Sequence, residues 1–149
     1  MDSFYYFGYA SNLDIQTLEG RLRKKPLKVC LGVLPNYGFR FNFKNPDGSA
    51  RANIVPSQNE SVYGILFEIR EEYRSYFLNS EPGYDFVKVE VFSKQGSKEA
   101  YTFISQNTHE GIFPSESYWK TIYNGGRENG IPNTYLSQIL NRAGRIEPL

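Results

Sequence analysis

Two short stretches of this 149-residue sequence carry residue types able to do chemistry. Near the N-terminus, Tyr5-Tyr6-Phe7 reads as a strand that runs through the small-residue turn Gly8-Tyr9-Ala10-Ser11 into a helix beginning around Asn12-Leu13. Backbone N–H groups at such a strand-to-helix junction point outward and bind anions. The second stretch ends in Glu81, a carboxylate at the close of a helix-like segment, followed at once by Pro82-Gly83. An anion-binding loop and one carboxylate suffice for a reaction in which the substrate supplies its own nucleophile. Spacing alone also fits an exposed residue at a helix end for Glu81. A negative charge there opposes the helix dipole, which favours a special reason for it.

Elimination narrows the chemistry. The one histidine, His109, sits in a loop-like Thr108-His109-Glu110-Gly111 setting, so a histidine-rich metal site is excluded and a hydrolase triad would have to be built around this residue. The one cysteine, Cys30, lies in the apolar run Val29-Cys30-Leu31, where a buried structural thiol is expected, without a helix N-terminus to activate it. A single cysteine also excludes a disulfide within one chain. Gly125-Gly126 precedes what reads as a short irregular segment and does not follow a strand, so it makes no phosphate loop or dinucleotide fingerprint. Other acidic residues, including Glu71-Glu72, Glu90 and Glu99, fall in charged or alternating contexts that predict exposure.

Composition bounds the partners. The 17 basic and 16 acidic residues are dispersed and leave a net charge of +1, which argues against a nucleic-acid footprint. The small cluster Arg21, Arg23, Lys24 and Lys25 reads as a solvated helix end. No basic start with an apolar core marks an export signal, and no apolar run approaches the roughly 18 residues needed to span a membrane, so a cytoplasmic protein is expected. A single domain over residues 1–149 is the simplest organisation.

The elements that must position the two stretches follow from periodicity. Ile15, Leu18 and Leu22 recur at helical spacing behind Asn12 or Asp14 as cap, and Pro26 ends that helix. Leu27 to Leu34 reads as a strand, Pro35-Asn36 as a turn, and Tyr37, Phe39, Phe41 and Phe43 as the inward residues of another strand. After the hairpin turn Asn45-Pro46-Asp47-Gly48 come a short strand at Ala52 to Pro56, a turn at Ser57 to Glu60, and a central strand at Val62 to Ile69. Tyr73, Tyr76 and Phe77 mark a helix ending near Ser80, a strand pair turns at Gln95-Gly96, and two helical faces follow, at Tyr118 to Tyr123 and Leu136 to Leu140. With aromatics at 16% of the chain, many in strand-like runs, an α+β fold with aromatic cavity walls is expected.

These residues resemble the gamma-glutamylcyclotransferase-like family with its AIG2-like relatives. The family's Tyr-Gly-Ser-Asn-Leu motif after a hydrophobic strand is matched by Tyr9-Ala10-Ser11-Asn12-Leu13. The likeness continues through Leu34-Pro35-Asn36-Tyr37, Ala52-Asn53-Ile54-Val55-Pro56 and Val62-Tyr63-Gly64-Ile65-Leu66-Phe67, and reaches the carboxylate in Ser80-Glu81-Pro82-Gly83-Tyr84. It extends through Tyr118-Trp119-Lys120-Thr121-Ile122 and Gly125 to Pro132, nearly the whole chain. Ala10 replaces the usual glycine, at a cost of about 1 kcal/mol if that position needs positive φ. Glu81-Pro82 replaces Glu-Gly, and the family's tyrosine leading into the next strand aligns with Phe86, which leaves Tyr84 as the nearest hydroxyl.

The resemblance implies a small, mixed, partly closed β-barrel with flanking helices, its cavity opening near the N-terminal loop, with some aromatics from Tyr37 to Phe43 lining it and others in the core. It implies cleavage of a small-molecule gamma-glutamyl amide by the substrate's own α-amine, releasing 5-oxoproline and an amino acid or amine, with no metal or cofactor. Glu81 would be the catalytic base and then acid, the backbone of Tyr9, Ala10, Ser11, Asn12 and Leu13 would bind substrate, and Tyr84 would assist. Ser11 and Asn12 also fit as cap residues. Gamma-glutamylamine- or glutathione-directed turnover, and a binding protein that kept the cavity without turnover, stay open, as does a homodimer.

Overall fold

A computed structural model describes residues 2–144, so the single-domain expectation for 1–149 extends beyond the described residues at both ends. Five strands close into a barrel in the order β1 (Ser3–Gly8), β3 (Ala50–Arg70), β2 (Lys28–Lys44), β4 (Asp85–Ser93), β5 (Gly96–Ile104). Closure is complete rather than partial. All pairings are antiparallel except β1 on β5, which is parallel with Tyr6 opposite Tyr101 and makes the barrel mixed as expected.

The helices follow local signals closely. Helix α1 (Ile15–Leu22) starts at Asp14, whose side chain accepts from the Gln16 N–H, and buries Leu18 and Leu22. Its C-cap Arg23 is left-handed (φ 57°). Helix α2 (Arg74–Ser80) ends at Glu81, and two further helices, α3 (Glu116–Glu128) and α4 (Asn133–Arg142), pack together outside the barrel.

Two expected turns are not chain reversals. Pro35-Asn36 and Ser57 to Glu60 lie inside single strands of 17 and 21 residues. Pairing runs from Pro35 opposite Ser61 directly to Tyr37 opposite Pro56, so Ser57 to Glu60 bulge out against Asn36 alone. Asn36 (φ 65°) and Asn59 (φ 69°) take up the left-handed conformation that also marks turns.

The bulge is fastened to α4 through Glu60. Arg40 Nη2 lies 2.8 Å and Arg142 Nη2 3.1 Å from the Glu60 carboxylate, and Ser57 Oγ also donates to it. The Arg40 hydrogen bonds, with that from Ser57, hold this carboxyl down at about 2. The unfolded chain therefore takes up the proton first, so this contribution is full above the ordinary carboxylate range, near 4.3, and fades as pH falls toward 2. Urea midpoints between about pH 6 and about pH 3 are expected to fall more steeply in the parent than in Glu60→Gln. The difference will be modest because the pair is partly solvated.

The core runs through the barrel and under the helices, with Phe7, Ile54, Ile65, Phe67, Phe77 and Ile122 among the side chains almost fully removed from water. Cys30 is half-buried in β2 between the exposed Val29 and Leu31, so its run is less enclosed than its hydrophobicity predicts. Among the described residues no helix is long and apolar enough to cross a membrane.

Candidate active site

The end of β1 and the end of α2 meet at one cavity. It is a small pocket open to solvent, with about 40 Å³ of space within it. The loop contributes Tyr9, Ala10, Ser11 and Asn12 to its wall, and Glu81 and Tyr84 face them.

The loop is fixed from three sides. Thr102 Oγ1 donates to the Phe7 carbonyl at 2.8 Å, and Tyr9 Oη donates to the Phe103 carbonyl at 2.7 Å, tying the end of β1 to β5. Ser11–Leu13 then forms a single 3-10 turn, with the Leu13 N–H on the Ala10 carbonyl. The N–H groups of Ser11 and Asn12 are first in that turn, where a helical turn offers its leading N–H groups no acceptor of its own. From the third side α3 presses on the loop. A Cβ on Gly125 would lie 2.5 Å from the Asp14 nitrogen, and Asn129 Nδ2 donates to the Leu13 carbonyl at 2.9 Å. Gly125 and Gly126 lie inside α3, which continues to Glu128 where a short irregular segment was expected to follow them, and the missing Cβ of Gly125 permits this approach.

Leu13 itself does not reach the cavity; its side chain is fully buried in the core. Asn12 is 8% exposed and its amide is spent internally: Nδ2 donates to Tyr6 Oη at 2.9 Å, and Oδ1 accepts from Arg21 at 3.0 Å. Arg21 also donates to Ser11 Oγ at 3.2 Å. Ala10 has φ −124°, so the position does not need the positive φ that would favour glycine, and Ala10→Gly is expected to change turnover by less than about threefold, measured as kcat/KM.

Glu81 is the C-cap of α2, and the Tyr84 N–H closes the following turn on its carbonyl at 3.1 Å. Gly83 takes a positive φ (89°), and a Cβ there would lie 2.8 Å from the Phe43 ring. Ser105 Oγ donates to the Gly83 carbonyl at 2.8 Å, and Ser105 is itself held by the fully buried Asn53. The Glu81 carboxylate is therefore presented by a braced turn. Its Oε2 accepts from Arg51 Nη2 of β3, a part-buried ion pair. Burial opposes the charged form of Arg51, and the Glu81 hydrogen bond and charge outweigh it, raising its pKa.

Besides Tyr9, three tyrosines share the cavity with the carboxylate. Tyr84 Oη donates to the Ala52 carbonyl at 2.6 Å, so its proton is committed to the backbone. Tyr118 Oη accepts from the Ala52 N–H at 3.1 Å and Tyr6 Oη accepts from Asn12, which leaves both with a proton to give. Burial pushes all three hydroxyls above their ordinary range and keeps them neutral. The aromatics of β2 do not line this cavity. Phe39 and Phe41 are core, and Phe43 stacks on Tyr84 with centroids 4.5 Å apart. Phe86 likewise belongs to the aromatic core, 4.9 Å from Phe103.

Arg21, Arg51, Tyr6 and Tyr118 were not legible as site residues. Arg21 sits in a run of cations that predicts solvent, and Tyr118 in an amphipathic helical face that predicts core. Neither His109 nor Cys30 lines the cavity, and burial raises the Cys30 thiol's pKa. Among the described residues no group of three or more His, Cys, Asp or Glu is placed to hold a metal ion.

A closed barrel with one carboxylate and the turn after β1 at a common cavity is the frame for comparison with known proteins. The model of the AIG2-like family matches residues 61–139. The gamma-glutamylcyclotransferase of Bos taurus is 28% identical over 99% of this chain and 80% of its own length. A solved structure described as a gamma-glutamyl cyclotransferase superimposes with a TM-score of 0.82 at 23% identity, covering 99% of this chain and 90% of that one. A yeast gamma-glutamyl cyclotransferase described as specific to glutathione gives 0.71 at 12% identity, covering 97% and 96%. These two structural likenesses speak for the fold. The chain belongs to the AIG2-like family, and the resemblance to gamma-glutamylcyclotransferase-like proteins read from its motifs holds over nearly its whole length.

Proposed function

We propose that this chain is a gamma-glutamylcyclotransferase, acting in the cytoplasm on a small-molecule gamma-glutamyl amide. The substrate's α-amine nitrogen bonds to its own γ-carbonyl carbon, the amide C–N bond breaks, and 5-oxoproline leaves beside a free amine. No water is consumed. The two protons lost by the α-ammonium end on the released amine, and Glu81 carries proton traffic between the two nitrogens.

The observation that carries this reading is Glu81 as the one carboxylate of the cavity, held by a braced turn opposite the turn that begins at Ser11 and Asn12. One carboxylate without a protein nucleophile suits a reaction whose nucleophile is the substrate, since well-placed intramolecular attack reaches effective molarities of about 10⁵ M or more. The loop N–H groups would hold the substrate's α-carboxylate or the oxyanion of the tetrahedral intermediate. Tyr118, with a proton to give, is better placed than Tyr84 for the further donor. Tyr84 would position, stacked between Phe43 and its bond to Ala52.

Mass spectrometry of 5-oxoproline released from gamma-glutamyl dipeptides, gamma-glutamyl amines and glutathione tests the reading. Release from at least one is expected. Release from none, with the protein folded, would refute it.

A further inference from the structure

We infer that Arg51 is a specificity-determining residue that reads a carboxylate on the leaving group, so that the enzyme prefers gamma-glutamyl amino acids to gamma-glutamyl amines. The inference rests on the cyclotransferase reading and goes beyond it to one side chain and one recognised group.

Four observations lead there. First, the ionisable groups of the cavity are Arg21, Arg51 and Glu81, with the tyrosines kept neutral by burial, so the cavity carries one net positive charge. A gamma-glutamyl amino acid, with two carboxylates and one ammonium, is a net anion and complements it; a gamma-glutamyl amine is a neutral zwitterion. Second, the two cations serve separate clusters, Arg21 being tied to Asn12 and Ser11 of the loop and Arg51 to Glu81. The loop cluster suits the carboxylate of the glutamyl half, which leaves Arg51 for the other one.

Third, Arg51 touches the group that must protonate the leaving nitrogen, and the carboxylate of a leaving amino acid is one carbon from that nitrogen. A cation beside Glu81 is therefore where that carboxylate falls. Fourth, the guanidinium carbon lies over two aromatic rings, 5.3 Å from the Tyr84 centroid and 5.7 Å from that of Phe43, which limits where the group can point. Its planar fork has five donors, which leaves some for a second carboxylate after Glu81 and Tyr118 are served.

The test uses two substrates that differ by this group alone, gamma-glutamyl-alanine and gamma-glutamyl-ethylamide. The parent protein is expected to favour the alanine substrate by about 10- to 100-fold in kcat/KM, the range of one charge-assisted hydrogen bond, chiefly through KM. In Arg51→Gln and Arg51→Met the ratio is expected to fall to within about threefold of unity, and Arg51→Lys is expected to keep part of it. Both neutral variants will also slow turnover through Glu81, so the ratio is the readout, and a role confined to holding Glu81 would leave it unmoved. Equal turnover of both substrates by the parent, or a ratio unchanged in the neutral variants, overturns the inference. 5-Oxoproline from neither substrate in the parent, folded and monitored beside a wider panel, separates the two cases. Release from other gamma-glutamyl compounds overturns the inference alone, and release from none overturns the reaction and the inference with it.

Discussion

Replacing Glu81 by Gln is expected to lower kcat for 5-oxoproline release by about 10²- to 10⁴-fold, the usual contribution of a positioned acid–base group, while substrate affinity changes by less than about tenfold. The amide is isosteric and can still accept from Arg51, so the braced turn through Gly83 and Ser105 stays intact. What it loses is the ability to take a proton from the α-amine and return it to the leaving nitrogen. Rate and affinity are separable here because the loop N–H groups and Arg21 lie on a different element from Glu81. Single-turnover kinetics beside calorimetric titration of the substrate measure both. A variant retaining more than about a tenth of the parent kcat would remove Glu81 from the chemistry.

The second large effect is expected far from any reacting atom. Gly125→Ala places a methyl 2.5 Å from the Asp14 nitrogen, 2.6 Å from the Leu13 carbonyl carbon and 2.8 Å from the Asp14 Cα. All three are backbone atoms that no rotamer change can clear. Helix propensity alone predicts that alanine stabilises by about 1 kcal/mol, but overpacking against fixed backbone costs about 1–3 kcal/mol or more. We expect a net loss of about 2 kcal/mol, a fall in Tm of about 4–8 °C, and a drop in kcat/KM of about 10- to 100-fold as the loop shifts. Gly20→Ala in α1, where nothing lies within 4 Å of the added carbon, is the matched control and is expected to be neutral or stabilising. Gly125→Ala melting at or above the parent would mean that α3 does not position the loop.

These two residues also mark what the sequence could and could not tell. The place of Glu81 at a helix end was legible because its signals are local, a helical spacing at Tyr73, Tyr76 and Phe77 and then Pro82-Gly83, whereas those signals fit an exposed residue equally and only the family resemblance singled it out. The extent of α1 was legible for the same reason, while its cap stayed open between Asn12 and Asp14 and the structure places it at Asp14. Gly125-Gly126 misled because glycine is a poor helix former by itself, and the reason for it, the backbone of Leu13 and Asp14 packed beside it, lies more than 100 residues away. Asn36 and Asn59 misled in another way, since left-handed asparagines serve bulges as well as turns and only the register of β2 on β3 separates the two. Arg51 and Tyr118 left no local trace at all. They become site residues only when β3 and α3 arrive beside α2, one at Glu81 and the other at Ala52.

The central claim is that the substrate attacks itself and that water takes no part. It is tested most directly by running the reaction to completion in water labelled with heavy oxygen and weighing both products. The account predicts 5-oxoproline without label, in equal amount to the released amine or amino acid. Glutamate carrying one heavy oxygen would contradict it and make the protein a hydrolase.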